Sequence, residues 1–559
     1  MSPHPMTLLR RSMLRYKIGR LQRYLSNADR AREIQRENLL RRIRLNADTA
    51  FGRDHGFSEI RTLEDFRRRV PIAGYEAARP YVDRVIQGET TALFPENTKV
   101  VMFATTSGTT DHPKMIPVTE DFYRQYKAGW QYWGSGVYRD YPHLLQMKSL
   151  QFSSHWNVTQ TPSGAPCGNI SGLAAETRPF YIGSLFVLPA CVIQITEHLA
   201  KHYTALRLSL ACDRVGKIVT ANPSTLVEVA KFADAMKETL IRDIHDGTLT
   251  GDQPIPDAIR RQLRSRLRPN PRRARQLQQI VDHTGHLYPK DAWPDLTLLA
   301  VWTGGSVGIY LNQLPEYYGD VAVRDHGLSA SEGRMTVPLQ NGSPSGMLDY
   351  SSHHFEFIPE SERDSSTPNV LEASDLTEGE NYFIVLTTAS GLYRYDIHDL
   401  VRCDGFCGQT PMLSFLNKGK NFCSFTGEKL SEHQVMQAMQ QTLQSINAPS
   451  CTFTLAPTLG ERPRYNLVLD DSSLPNLCER IGQELQNQLS QVNCEYADKC
   501  ASGRIEPIQV TRVPAGTWEK LRASKTSKRG NFEEYKHPCL TNDPNFLQSL
   551  SKLDSTPPS

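Results

Sequence analysis

The sequence predicts an α/β protein: a large N-terminal domain of mixed β-sheets flanked by helices, then a small C-terminal α/β domain. Three observations lead there. The chain has 559 residues, far more than one hydrophobic core usually serves. Short apolar strand candidates at 100–103, 218–221, 296–302 and 321–324 are interspersed with segments of helical period. Consecutive strand patterns then fill 354–403, and a fresh helix–strand–strand–helix–strand order begins after Lys429. The expected division is 1–420, a hinge at 421–427, and 428–559 ending in a disordered tail. Gly419 and Gly427 would allow the backbone change of a hinge.

Composition excludes several classes. Apolar residues make up 39% and charged residues 22%, as in an ordinary globular enzyme. The net charge of +3, from 63 basic and 60 acidic residues, argues against nucleic acid or a strongly acidic partner. No apolar run is long enough to span a bilayer. The cysteines are odd in number, 11, and lack metal-ligand spacing; Cys403 and Cys407 stand apart from other ligand pairs. Reduced thiols and a cytoplasmic location are therefore expected, and the sequence is compatible with a monomer.

Taken in order, residues 1–28 carry Arg10, Arg11, Arg15, Lys17, Arg20 and Arg23 with no acid before Asp29. A transit peptide shares that composition, but the spacing of Leu8, Leu9, Met13, Tyr16, Leu21, Tyr24 and Leu25 suits an amphipathic helix. The structural helix is the favoured reading, with a second helix over 34–45. A Gly-punctuated turn at 49–57 precedes a short helix at 63–69, ended by Pro71. Another segment starts at Arg79-Pro80-Tyr81 and closes at Gly88-Glu89. Thr119 is the expected N-cap of an aromatic-rich helix over 121–138. Residues 160–172 read as a functional loop, and 225–244 as one helix. Eight arginines fall within 260–275, where Ile259, Leu263, Leu267 and Leu277 fit two amphipathic helices exposing their arginines better than a nucleic-acid patch. Residues 361–368 read as a polar hairpin tip or flexible loop, and 551–559 as a disordered end.

The chemistry centres on 103–117, FATTSGTTDHPKMIP. Gly108 permits a tight turn, and the hydroxyls of Ser107, Thr109 and Thr110 with nearby N–H groups can face one anion. Lys114 adds a mobile positive charge. This is phosphate-cradle chemistry without the GK[ST] ending of a Walker loop; a polar hairpin turn is the plainer alternative. Two further motifs follow, LSASEG at 328–333 and LYRYDIHDLV at 392–401.

In that order the three resemble the adenylate-forming superfamily, whose motifs read roughly TSGTTGKPK, YGxSE and YRTGD. More closely, the chain resembles the auxin-responsive family of acyl-acid amido synthetases, bacterial members included. The segments FRRRVPIAGYEAARPYVDRVIQGE, WTGGSVGIYLNQLPEYYG, HHFEFIPE, YFIVLTTASGLYRYDIHDLVRCDGF and FEEYKHPCL carry that likeness from about 49 to 540. The resemblance implies a mobile C-terminal cap, ATP and Mg²⁺, and activation of a carboxylic acid to an acyl-adenylate, then transfer to an amine, with an amino acid the expected one. It implies that Ser107, Gly108, Thr109, Thr110 and Lys114 bind phosphates, that Ala330 and Ser331 line the nucleotide, and that Glu332 holds Mg²⁺. Asp399 would accept the ribose hydroxyls, and Lys536 would be the catalytic lysine that meets the α-phosphate. Read by themselves, Glu332 could be a helix N-terminal acid, Asp399 a solvated strand residue and Lys536 a surface lysine.

The chain departs from the superfamily pattern in three places: Asp111-His112 replace Gly-Lys, Leu328-Ser329 replace Tyr-Gly or Tyr-Ala, and His398 replaces the glycine before the ribose aspartate. His155 and His398 are candidate bases for the amine. Trp130, Trp133, Trp156 and Tyr181 could line an acyl pocket or fill the core. A thioester-forming ligase using coenzyme A shares the first half-reaction, and a non-catalytic nucleotide- or acid-binding protein is the reading from another class.

Overall fold

The computed structural model describes residues 5–105, 114–250, 254–304, 308–363, 365–418, 422–423, 428, 430–458, 463–470, 477–502, 505–527 and 535–554. The chain forms two compact units. One comprises Met1–Thr303, Leu314–Ile397 and Val401–Phe415; the other comprises Gly304–Gln313, His398–Leu400 and Leu416–Ser559. Most of the connector expected at 421–427 lies outside the described residues.

The first unit opens with helix Pro5–Ser26, whose Leu21 and Tyr24 are buried. The Tyr24 ring stacks on Tyr132 at 4.2 Å and on Tyr350 at 5.0 Å, and its hydroxyl donates to the Leu348 carbonyl. Leu21 and Tyr24 of this basic segment are thus packed, with Leu25 against them, whereas Tyr16 is 68% exposed. Helix Ala31–Leu45 follows, burying Leu39 and Ile43. Helix Leu63–Arg69 starts at a capping box, Thr62 with Asp65. The segment expected to begin near Arg79 is instead one helix, Tyr75–Ile86, with Pro80 inside it. Burial of Tyr75, Ala78, Val82 and Val85 on one face outweighs the lost backbone donor.

Three sheets organise this part of the chain. Strands Met115–Thr119, Val100–Thr105, Pro166–Gly168 and Thr159–Gln160 form a mixed sheet in that order. Strands Lys148–Gln151, Val215–Val219, Leu298–Ala300 and Ala322–Arg324 form an all-parallel one. The two central strands, Val215–Val219 and Leu298–Ala300, are buried along their whole length, which fits a sheet covered on both faces. A seven-stranded sheet holds His354–Pro359, Asn381–Thr387, Tyr395–Cys407 and Thr410–Lys418 among its members. Thr119 caps helix Glu120–Asp140 by accepting from Phe122 N, as its position predicts.

Some expectations change. Residues 160–172 are an ordered strand pair followed by helix Ile170–Glu176, capped by Asn169. The helix expected over 225–244 is two, Pro223–Ala235 and Lys237–Asp246, divided at Met236. In the arginine-rich stretch, helices Asp257–Leu263 and Pro271–Thr284 form, but Arg273 points inward. Its guanidinium donates to the Leu210 and Ala292 carbonyls at 2.9 and 2.6 Å, satisfying acceptors at the ends of neighbouring helices.

The second unit is built on strands Phe453–Thr458, Arg464–Asp470 and Glu506–Val513, antiparallel then parallel. Helices Glu432–Ser445 and Cys478–Val492 pack through Val435, Ala438, Ile481, Leu485 and Leu489. The tail expected to be disordered from 551 is helical through Asp554, because Phe546 and Leu550 bury against Trp518 and Leu521.

Candidate active site

Strands Val100–Thr105 and Met115–Thr119 pair antiparallel, with Thr105 opposite Met115. The stretch between them is the phosphate-loop candidate. Ser107, Gly108, Thr109 and Thr110, with Asp111 and His112, lie outside the described residues; both ends of the loop are described, and both lead to Glu332.

At the far end, Lys114 Nζ donates to the Tyr395 hydroxyl at 2.9 Å, and that hydroxyl donates to Glu332 Oε1 at 3.1 Å. The ammonium also sits 5.6 Å from the Tyr75 and Tyr395 ring centres, within cation–π range. Tyr75 in turn clamps Met115, donating to its carbonyl at 2.9 Å and accepting from its N–H at 3.1 Å. Burial pushes the Tyr75 hydroxyl up to about 12, so it stays a neutral donor. At the near end, the Ser331 hydroxyl reaches the Thr105 carbonyl at 3.5 Å.

Glu332 is no helix-terminal acid. It occupies, with Ser331, the turn between Ser329–Ala330 and Gly333–Arg334, paired Ala330 to Gly333. It is 5% exposed. Below the turn, Arg334 is fully buried over the Trp130 ring at 4.5 Å, and its guanidinium reaches the His326 carbonyl. Gly333 has no room for a side chain, since a Cβ would lie 2.9 Å from His353 Nε2.

Tyr395 is positioned by its predecessor. Arg394 has φ +45, an uncommon backbone state for a non-glycine residue. Its guanidinium donates to both Glu356 oxygens, at 2.8 and 3.3 Å, and to the Val70 and Arg67 carbonyls. Arg67 donates to the same carboxylate at 2.8 Å. Burial alone would raise the Glu356 carboxyl, but Arg394, with Arg67, holds it below its ordinary value. Ala73 bridges the same backbone, its N–H on the Arg394 carbonyl and its carbonyl on Asp396 N–H. Arg394 and Tyr395 are not among the expected site residues; their place within YRYD is the signal that points to them.

His353 and His354 lie beside this core, both 1% exposed. Burial lowers them to about 3 and about 4, with the Arg42 cation adding to the effect. Both stay neutral in the fold, whereas the unfolded chain protonates near 6.5. Their contribution to stability is complete above that pH and is lost as pH falls toward 4. At pH 5 the cost is about 2 kcal/mol for each. Thermal unfolding at pH 7.5 and 5.0 should therefore show a marked loss at the lower pH; equal melting temperatures would contradict this.

Asp399, in the second unit, lies on strand Tyr395–Cys407 and is 3% exposed, so it is no solvated strand residue. Its Oδ1 sits 3.0 Å from Lys418 Nζ, an ion pair that the third motif by itself does not reveal. His398 adopts φ +61, so the residue standing where the superfamily has glycine keeps a glycine-like backbone. Lys536, also in the second unit, is exposed and precedes a fixed segment. That segment is held by Leu455 N–H on the Cys539 carbonyl at 2.8 Å, Thr541 N–H on the Leu455 carbonyl at 3.1 Å, and Cys539 N–H on Glu432 Oε1 at 2.7 Å. Trp133 is core, its indole donating to the Asp325 carbonyl at 2.8 Å.

Models of the GH3 family N-terminal, central and C-terminal domains match residues 20–323, 346–418 and 433–545. An indole-3-acetic acid-amido synthetase of Arabidopsis thaliana, GH3.10, is 24% identical over 573 residues, covering 95% of each chain. A jasmonoyl–L-amino acid synthetase of Nicotiana attenuata, JAR6, is 22% identical, covering 93% of each. The solved structure of the GH3.15 acyl acid amido synthetase in complex with 2,4-DB superposes with a TM-score of 0.84 at 21% identity, covering 96% of each chain.

Proposed function

The chain belongs to the GH3 family, and from that premise we propose that it is an acyl-acid amido synthetase: it adenylates a carboxylic acid with ATP, then transfers the acyl group to an amino acid. The observation that carries this reading is the convergence of both ends of the 106–113 loop on Glu332, through Lys114 and Tyr395 on one side and Ser331 on the other. The amido synthetase names of relatives matched along 95% and 93% of this chain support the choice of acceptor.

In this account the acid's carboxylate attacks the α-phosphorus in line, and pyrophosphate leaves. Ser107, Gly108, Thr109 and Thr110 cradle the phosphates, and Lys114 offsets their charge. The Lys114–Tyr395–Glu332 chain keeps the acidic turn and the basic residue in fixed register. Glu332 presents a hard carboxylate donor, which fits Mg²⁺; the ion would neutralise phosphate charge when bound. Ala330 and Ser331 line the nucleotide, and Asp399 accepts the ribose hydroxyls. Lys536 stabilises charge developing at the α-phosphate. Residues 421–427 form the hinge between the 1–420 and 428–559 domains, and exclusion of water protects the acyl-adenylate.

Removing the ribose acceptor should weaken binding rather than chemistry. Asp399→Ala is expected to raise the Kd for ATP about 10- to 100-fold, the scale of a charge-assisted hydrogen bond. An unchanged affinity in calorimetry would sink its ribose role. The overall reading is tested by incubating the protein with ATP, Mg²⁺, a panel of carboxylic acids and either amino acids or coenzyme A. Mass spectrometry should find an amide with AMP and pyrophosphate. A thioester instead would replace the amido synthetase reading with that of a coenzyme A ligase.

A further inference from the structure

Away from Glu332, the first unit brings two imidazoles and a carboxylate together. His198 and His202 are four residues apart on helix His198–Leu210, so they share one face. Glu228 projects from the neighbouring helix Pro223–Ala235. One donor atom from each of the three lies within 4.8 Å of the others. His198 Nε2 and Glu228 Oε2 are 3.7 Å apart, and the two imidazole centres 3.9 Å apart. Tetrahedral donors about 2.1 Å from an ion sit about 3.4 Å from one another, so modest side-chain rotation closes the set.

From this arrangement we propose a binding site for a divalent transition-metal ion of the zinc type, held by His198, His202 and Glu228. Two imidazoles favour such an ion over magnesium or calcium, which take oxygen donors. The surroundings suit a site closed on one side. His202 is 1% exposed, with the Phe152 ring edge-on at 5.7 Å, while the His198 and Glu228 side chains are 18% and 31% exposed. An ion there keeps a solvent-facing coordination position. The nearest lysine on the helix, Lys201, directs its ammonium to the Ser153 carbonyl at 2.6 Å. The ion would clip the two helices together beside Phe152. This site is separate from the carboxylate at Glu332 and needs no nucleotide.

The test is titration of chelator-stripped full-length protein with Zn²⁺ alone, against a competing chromophoric chelator. Wild type should take up one equivalent tightly, and Zn²⁺ should raise its melting temperature. His198→Gln and Glu228→Gln, both at the exposed side of the cluster, should each weaken binding by at least about tenfold and abolish the thermal shift. Circular dichroism checks that both fold. Co²⁺ substitution should give d–d absorption without a thiolate charge-transfer band. No stoichiometric uptake, unchanged affinity in both variants, or a thiolate band would each overturn the proposal, the last by moving the ion to the cysteines.

Discussion

Lys536→Ala is expected to slow adenylation by about 10²–10³-fold while leaving ATP affinity little changed. The magnitude is that of removing one charge-stabilising donor from a transition state. The split between rate and binding follows because the lysine acts on charge that develops only during in-line attack. The fold should tolerate the change. Lys536 is exposed, and the chain beyond it is held by backbone hydrogen bonds to Leu455 and by Glu432, none of which uses the lysine side chain. Single-turnover formation of adenylate, with ATP binding measured separately, reads the two effects apart. Normal adenylation by the variant would remove Lys536 from the catalytic assignment.

The largest stability effect should come from Arg394→Met. Glu356 is 1% exposed and depends on Arg394 and Arg67 for its charge balance. Taking away the two-pronged partner leaves the buried carboxylate under-paired, with Arg67 still on one oxygen, which costs about 3 kcal/mol. It also releases the contacts that hold φ +45 at Arg394, so Tyr395 loses its register against Lys114 and Glu332. The variant should melt well below the parent protein and lose adenylation together with stability. Pairing it with Glu356→Leu should recover part of the melting temperature, since the under-paired charge is then gone. A single variant as stable as the parent would mean that the Glu356 network does not anchor this strand.

Local features of the sequence carried much of the architecture. The run into the phosphate loop reads as a strand, Thr119 reads as a cap, and both appear as expected. The helix–strand order after Lys429 likewise delivers the second unit, because each amphipathic period there has one apolar face to bury. What local pattern did not expose are contacts between distant positions. Lys114 and Tyr395 are 281 residues apart, and Glu356 lies on strand His354–Pro359 whereas Arg394 precedes strand Tyr395–Cys407. Glu332 looked compatible with a helix start, since Ser-Glu serves caps and tight turns alike; strand pairing of Ala330 with Gly333 decided the matter. Arg273 looked exposed because arginines usually are, yet two helix-end carbonyls draw it inward. At His398, which stands where the superfamily has glycine, the backbone keeps positive φ, a feature the residue type does not reveal.

Acid-dependent exchange of labelled pyrophosphate into ATP, with Mg²⁺ and a panel of carboxylic acids, tests the central claim most directly. The account predicts exchange that requires one chemical class of acid, that is lost in Lys536→Ala, and that gives way to amide formation when the matching amino acid is added. Failure to bind ATP in calorimetry, together with no exchange for any acid, would contradict it.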